Sequence, residues 1–169
     1  LYRYGGMWID ATYYVTDKID ETIFDKNVFY TLRYAESLWK SDVSKGRWSC
    51  NLLRMSPKTL FARFLMEGLW LYWEMNDSLI DYFWMDDIIS IEYEMFETVR
   101  NNINACQIAD TAVFELQKNL NRKFDEQKYN EWISKTGFFK LNWRQELEES
   151  TLTQHETFWK YIKDKQESI

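Results

Sequence analysis

The chain has 169 residues, 46% apolar and 28% charged, with one proline and five glycines, a makeup that predicts one compact globular domain and excludes a disordered or fibrous segment. Its formal net charge of −6 excludes broad recognition of a phosphate backbone, which needs a concentrated basic surface, so no nucleic-acid partner is expected. Cys50 and Cys106 are too few for a disulfide framework and lack zinc-ligand spacing, which predicts a reducing, cytoplasmic compartment, and no apolar run approaches the ~20 residues of a membrane span.

In chain order, Leu1-Tyr2-Arg3-Tyr4 reads as the last turn of a helix, and Gly5-Gly6 supplies the left-handed conformation that lets the chain leave it sharply. Met7-Trp8-Ile9 follows as a strand too apolar to face water, which sets Asp10-Ala11-Thr12 at its carboxyl end, where open α/β sheets place ligands. Val28 to Leu32 has the β-branched and aromatic content of a second strand. Ser44-Lys45-Gly46-Arg47 reads as a turn, and Trp48 to Met55 as a third strand that stops before Ser56-Pro57. Ser56 is the expected N-cap of a helix whose apolar positions Leu60, Phe61, Phe64, Leu65, Leu69 and Tyr72 carry it to about Asn76. Asp77 or Ser78 is expected to cap the next helix, with Ile80, Trp84, Ile88, Ile91 and Met95 on its apolar face. Asn101, Asn102 and Asn104 mark a loop, and a shorter helix starts at Val113. Asp125-Glu126 opens another helix that ends near Gly137. Phe138 to Trp143 reads as a late strand and Thr153 to Gln166 as a terminal amphipathic helix or tail. With no repeat, linker or low-complexity run, a single domain over residues 1–169 is expected.

The aromatic share is 18%, with nine tryptophans, which predicts an aromatic core or an aromatic-lined cleft. The string Tyr4-Gly5-Gly6-Met7-Trp8-Ile9-Asp10-Ala11-Thr12 resembles the region around the DXD sugar-binding motif of glycosyltransferases. It is most similar to the capsular polysaccharide synthesis family, whose version reads roughly Tyr-Gly-Gly-x-Trp-x-Asp-Ala-Thr. Lys45-Gly46-Arg47-Trp48, Leu79 to Asp86 and Phe139 to Trp143 extend the likeness over most of the chain.

The resemblance implies an α/β fold of the nucleotide-diphospho-sugar transferase (GT-A-like) type, a mixed sheet flanked by helices with Asp10 at its carboxyl edge. It also implies that the chain is the C-terminal part of a catalytic domain whose N-terminal nucleotide-binding units are missing. The implied activity is metal-dependent transfer of a hexosyl unit from a nucleotide-diphosphate sugar to a growing glycan or lipid-linked saccharide, with a lean toward retention of configuration. The implied location is the cytoplasmic, inner face of a bacterial membrane, with peripheral association. A fragment lacking the nucleotide-binding units is expected to bind donor poorly.

A diphosphate's charge is commonly offset by Mn²⁺ or Mg²⁺, hard cations that prefer carboxylate and water oxygens, and Asp10 is the candidate ligand. Thr12 stands where the DXD pattern has its second aspartate; its hydroxyl can bind a phosphate, a sugar hydroxyl or metal-bound water, but it brings no charge. The same residue types also end strands and open turns. His155, the only histidine, is the candidate late metal ligand or a surface residue of the terminal helix.

Asp81 and Asp86 are the catalytic candidates. They are expected on one helix, about 140° apart and so not a single clamp. Asp81 also suits a first helical turn, and Asp86 interrupts an apolar run in which a carboxylate must find a partner. Gly5, Gly6, Trp8, Thr12, Arg47, Trp48 and Lys140 are the substrate-binding candidates. Arg47 could reach a diphosphate or pair with a surface carboxylate, Trp8 and Trp48 could be sugar platforms or core, and Lys140 could neutralise leaving-group charge or face solvent. The rival readings are a non-catalytic carbohydrate-binding or assembly module with a degenerate metal site, and an all-α interaction domain.

Overall fold

The computed structural model describes residues 1–25, 29–35, 42–152 and 155–168. They form a mixed α/β protein of six α-helices and two small antiparallel sheets. The chain divides into two compact units, Leu1–Asp10 with Glu21–Ala109, and Ala11–Asp20 with Asp110–Ile169. The sheet content excludes the all-α alternative. The single mixed sheet expected from the sequence is replaced, among the described residues, by these two purely antiparallel ones.

The first unit is built on a three-stranded sheet of β1 (Gly6–Ile9), β4 (Leu52–Met55) and β3 (Tyr30–Thr31), in the order β1-β4-β3. Gly6 pairs with Met55 and Ile9 with Leu52. The central strand is buried at every position, whereas β1 is an edge and alternates in exposure. Trp8 is consequently 53% exposed, against the expectation of a wholly buried strand.

The entry to β1 follows the glycine logic. Gly5 N donates to Leu1 O at 2.7 Å, closing a helical turn, and Gly5 and Gly6 hold φ of 69° and 100°. A Cβ on Gly5 would stand 2.8 Å from Pro57 Cδ, so the site excludes a side chain by space as well as by φ.

Three helices pack against this sheet's core of Trp48, Leu53, Met55, Phe61, Leu65, Ile88, Ile89, Val99 and Ile103. Helix α1 (Leu60–Met75) buries Phe61, Ala62 and Leu65 at the expected spacing and ends at Asn76. Its N-cap is Thr59, which accepts from Ala62 N, and not Ser56; Lys58, at φ 59°, separates Pro57 from the helix.

Helix α2 (Trp84–Met95) starts well after Asp77 and Ser78. The Tyr72 hydroxyl donates to Ser78 O and accepts from Ile80 N, while Asp81 Oδ1 accepts from Phe83 N at 2.6 Å. These side-chain bonds satisfy the backbone locally and compete with helix. The buried face of α2 carries Asp86, Ile88, Ile89 and Glu92; Ile91 and Met95, expected inside, are 45% and 64% exposed.

Residues expected as a loop form α3 (Glu97–Ala105). Val99 and Ile103, four apart and 2% and 0% exposed, anchor it to the core, and that burial outweighs the weak helix propensity of three asparagines.

In the second unit β2 (Tyr13–Val15) pairs with β5 (Phe138–Lys140), Tyr13 opposite Lys140 and Val15 opposite Phe138. A 3₁₀ turn at Thr111–Phe114 leads into α4 (Glu115–Asn119). Helix α5 (Glu126–Lys135) is capped by Asp125, as its sequence predicts, and α6 (Phe158–Glu167) by Thr157. The core of this unit includes Tyr14, Leu116, Leu120, Tyr129, Trp132, Phe139, Phe158 and Ile162, with the Tyr14 and Tyr129 hydroxyls 3.1 Å apart. Of the predicted elements, Val28 and the pair Thr153-Gln154 lie outside the described residues.

Candidate functional site

Asp10 follows the last residue of β1 and is half-buried, its backbone N donating to Asn51 O at 2.9 Å. This holds the carboxyl end of an edge strand against the turn that feeds β4. The rule that ligands gather at carboxyl ends of strands belongs to open parallel sheets, so in this antiparallel sheet the position of Asp10 rests on its own side chain.

The chain passes into the second unit at Ala11. There the sequence candidates Thr12 and Lys140 meet: Lys140 Nζ donates to Thr12 Oγ1 and lies 5.0 Å from the centroid of the Tyr13 ring. The antiparallel register of β2 and β5 produces this pair. Thr12 thus carries a cation where the two-aspartate pattern carries an anion.

In the first unit the structure brings Trp48 and Asp86 together. Trp48, 2% exposed, is core and not a platform; its Nε1 donates to Asp86 Oδ1 at 2.9 Å. Cys50 Sγ donates to Asp86 Oδ2 at 3.3 Å. Asp86 is 8% exposed, and burial pushes its carboxyl above the usual carboxylate range, with the Cys50 and Trp48 hydrogen bonds opposing and Asp42 and Asp87 reinforcing. Both oxygens therefore serve to tie the segment before β4 to the first turn of α2. Asp81 lies outside that helix, in the exposed turn that precedes it.

Arg47 is held on three sides. Nε donates to Ser44 O at 2.9 Å, Nη1 pairs with Glu94 at 3.2 Å, and the guanidinium carbon lies 4.7 Å and 4.4 Å from the Trp48 and Tyr93 ring centroids. His155 is exposed in the second unit, its backbone N donating to Thr151 Oγ1.

For a divalent metal the donor set is thin. Among the described residues no three His, Cys, Asp or Glu are grouped to hold an ion. The fit that remains is that of a hard cation taking one carboxylate, Asp10, and its other oxygens from a diphosphate and water, a common arrangement for Mg²⁺.

Three residues escape the sequence analysis. Glu92 is completely buried, neither oxygen has a partner among the described residues, and burial pushes its carboxyl up to about 9. An acidic residue on a helix reads as solvent-facing; only its spacing from Ile88 and Ile89 signals the inner face. Cys50 gives no signal of its partnership with Asp86. Arg33 lines a pocket of about 260 Å³ with Lys45 and Arg47, a grouping of residues distant in sequence.

Among the described residues no helix is long and apolar enough to cross a membrane. A family model described as capsular polysaccharide synthesis protein matches residues 1–162. No curated protein and no solved structure matches the chain.

Proposed function

The chain belongs to the capsular polysaccharide synthesis protein family, and from that premise we propose that it acts in a glycosyltransferase that moves a hexosyl unit from a nucleotide-diphosphate sugar to a growing surface glycan. The observation that carries the reading is Asp10, a half-buried residue whose backbone is held at the end of β1 behind two left-handed glycines, within the segment that resembles the sugar-binding motif region of glycosyltransferases. In the reaction the acceptor oxygen forms the new bond at the sugar's anomeric carbon and the nucleoside diphosphate leaves. Asp10 would hold Mn²⁺ or Mg²⁺ beside the diphosphate, and such an ion supplies charge stabilisation for that leaving group. In the second unit, taken by itself, the Lys140 ammonium group is steadied by Thr12 and Tyr13 and is a candidate contact for an anionic group.

The thin metal donor set gives the non-catalytic glycan-binding reading its one point of support. Titration calorimetry of the full-length protein with nucleoside diphosphates and Mn²⁺ separates the two. The transferase reading expects metal-dependent binding that is lost in an Asp10→Ala variant of unchanged circular dichroism. Absence of binding in the wild type favours the glycan-binding module.

A further inference from the structure

We propose that the pocket lined by Arg33, Lys45 and Arg47 is a phosphate-binding site that engages its ligand through cationic side chains, independently of any metal. Among the described residues the pocket, of about 260 Å³, is completed by Tyr34, Gly46 and Ile108, and no carboxylate lines it. Three cations line one cavity in a chain of net charge −6, and like charges converge at a cost unless anions join them, as Glu94 joins Arg47.

The two guanidinium groups are held in place before any ligand arrives. Arg33 lies in a bridge with Ile108, and its Nη1 donates to Asn104 O at 2.6 Å and Cys106 O at 2.9 Å. Those two carbonyls anchor one end of the guanidinium while Nε, buried, has no hydrogen-bond partner among the described residues.

Lys45 and Gly46 hold φ of 50° and 76° inside a turn closed by Arg47 N to Ser44 O at 2.9 Å, the φ signs of a type I′ turn. Gly46 is required there, because a Cβ would stand 2.7 Å from Tyr34 O. The turn therefore places Lys45 and Arg47 on either side of a backbone that approaches Tyr34 closely, and the Trp48 and Tyr93 rings and Glu94 hold the Arg47 guanidinium in place.

The cationic lining points to the ligand class. A pocket of about 260 Å³ has room for an anionic group such as a diphosphate. Guanidinium forks match phosphate oxygens bidentately, and a lysine adds a point charge. The phosphate could come from the donor's nucleoside diphosphate or from the diphosphate of a lipid-linked acceptor. The inference rests on the transferase reading for that source alone, and not for the presence of the site.

The test is calorimetric titration of the full-length protein with inorganic pyrophosphate, and separately with UDP and GDP, in EDTA. Lys45→Gln removes one charge from an exposed side chain, and Arg33→Lys keeps charge but removes the fork. Lys118→Gln, on α4, is the control. Saturable pyrophosphate binding, weakened about fivefold to tenfold in each pocket variant and unchanged in the control, is the expected result. Tighter binding of UDP or GDP than of pyrophosphate, with the same sensitivity, identifies the donor as the source; equal affinity identifies a phosphate that brings no base. No saturation by 10 mM pyrophosphate (about the weakest binding the site could usefully have), or saturation indifferent to both pocket variants, overturns the proposal. Binding that appears only with Mn²⁺ and is lost in Asp10→Ala but not in Lys45→Gln also overturns it, while leaving the transferase reading intact.

Discussion

Glu92 makes the stability of this protein fall as pH rises. Its carboxyl is 0% exposed with no partner among the described residues, and burial raises it from an ordinary 4.5 to about 9. A carboxyl whose folded value lies above its unfolded one takes up a proton on folding at any pH between the two. Below about 4.5 both states are protonated and there is no cost; between the two values the cost grows with pH; above about 9 it is constant. Each unit of that interval is worth about 1.4 kcal/mol, so roughly 4 kcal/mol of stability is lost between pH 5 and pH 8 through this residue. Glu92→Gln removes the proton and leaves the shape. Urea unfolding of both proteins across that range, read as the difference between them, isolates Glu92 from every other titrating group. The variant should gain steadily on the wild type as pH rises. A difference that stays flat with pH refutes the reasoning, because a carboxylate ionised in the folded protein would carry no such linkage.

Other expectations follow from single contacts. Asp86→Ala strands the buried indole N–H of Trp48 and removes the carboxylate contact of Cys50 and should cost about 2–4 kcal/mol, whereas Asp86→Asn keeps an acceptor and should cost clearly less, both read from unfolding midpoints. Two glycine-to-alanine changes should have opposite signs. Gly5→Ala combines positive φ with a Cβ 2.8 Å from Pro57 Cδ and should destabilise by about 2 kcal/mol or more. Gly68→Ala, inside α1 with its nearest neighbour Ile88 Cγ2 at 3.4 Å, should be neutral or stabilising by up to about 1 kcal/mol. Thermal unfolding of the pair checks both.

What the sequence reveals is local. Gly5-Gly6 announces the turn into β1 because only glycine holds those angles cheaply, the apolar spacing of Phe61 and Leu65 announces α1, and Asp125 announces the start of α5. What stays hidden depends on partners far along the chain. Tyr13–Val15 is a strand because Phe138–Lys140 lies beside it, more than a hundred residues on, and β2 is too short to show a period of its own. The start of α2 lies later than its sequence suggests because Tyr72 and Asp81 satisfy the turn before it with side-chain bonds. The asparagines of α3 suggest a loop, and a helix forms because Val99 and Ile103 have a core to enter. The candidate site divides the same way: Asp10 follows from its motif, and the Thr12–Lys140 and Trp48–Asp86 pairings need the fold.

The most direct test of the transferase account is release of nucleoside diphosphate from a panel of nucleotide sugars by the full-length protein with Mn²⁺, compared with Asp10→Ala of matched circular dichroism. The account predicts release from at least one donor, reduced on the order of a hundredfold or more when Asp10 is removed. No release from any donor, or release that Asp10→Ala leaves undiminished, would contradict it.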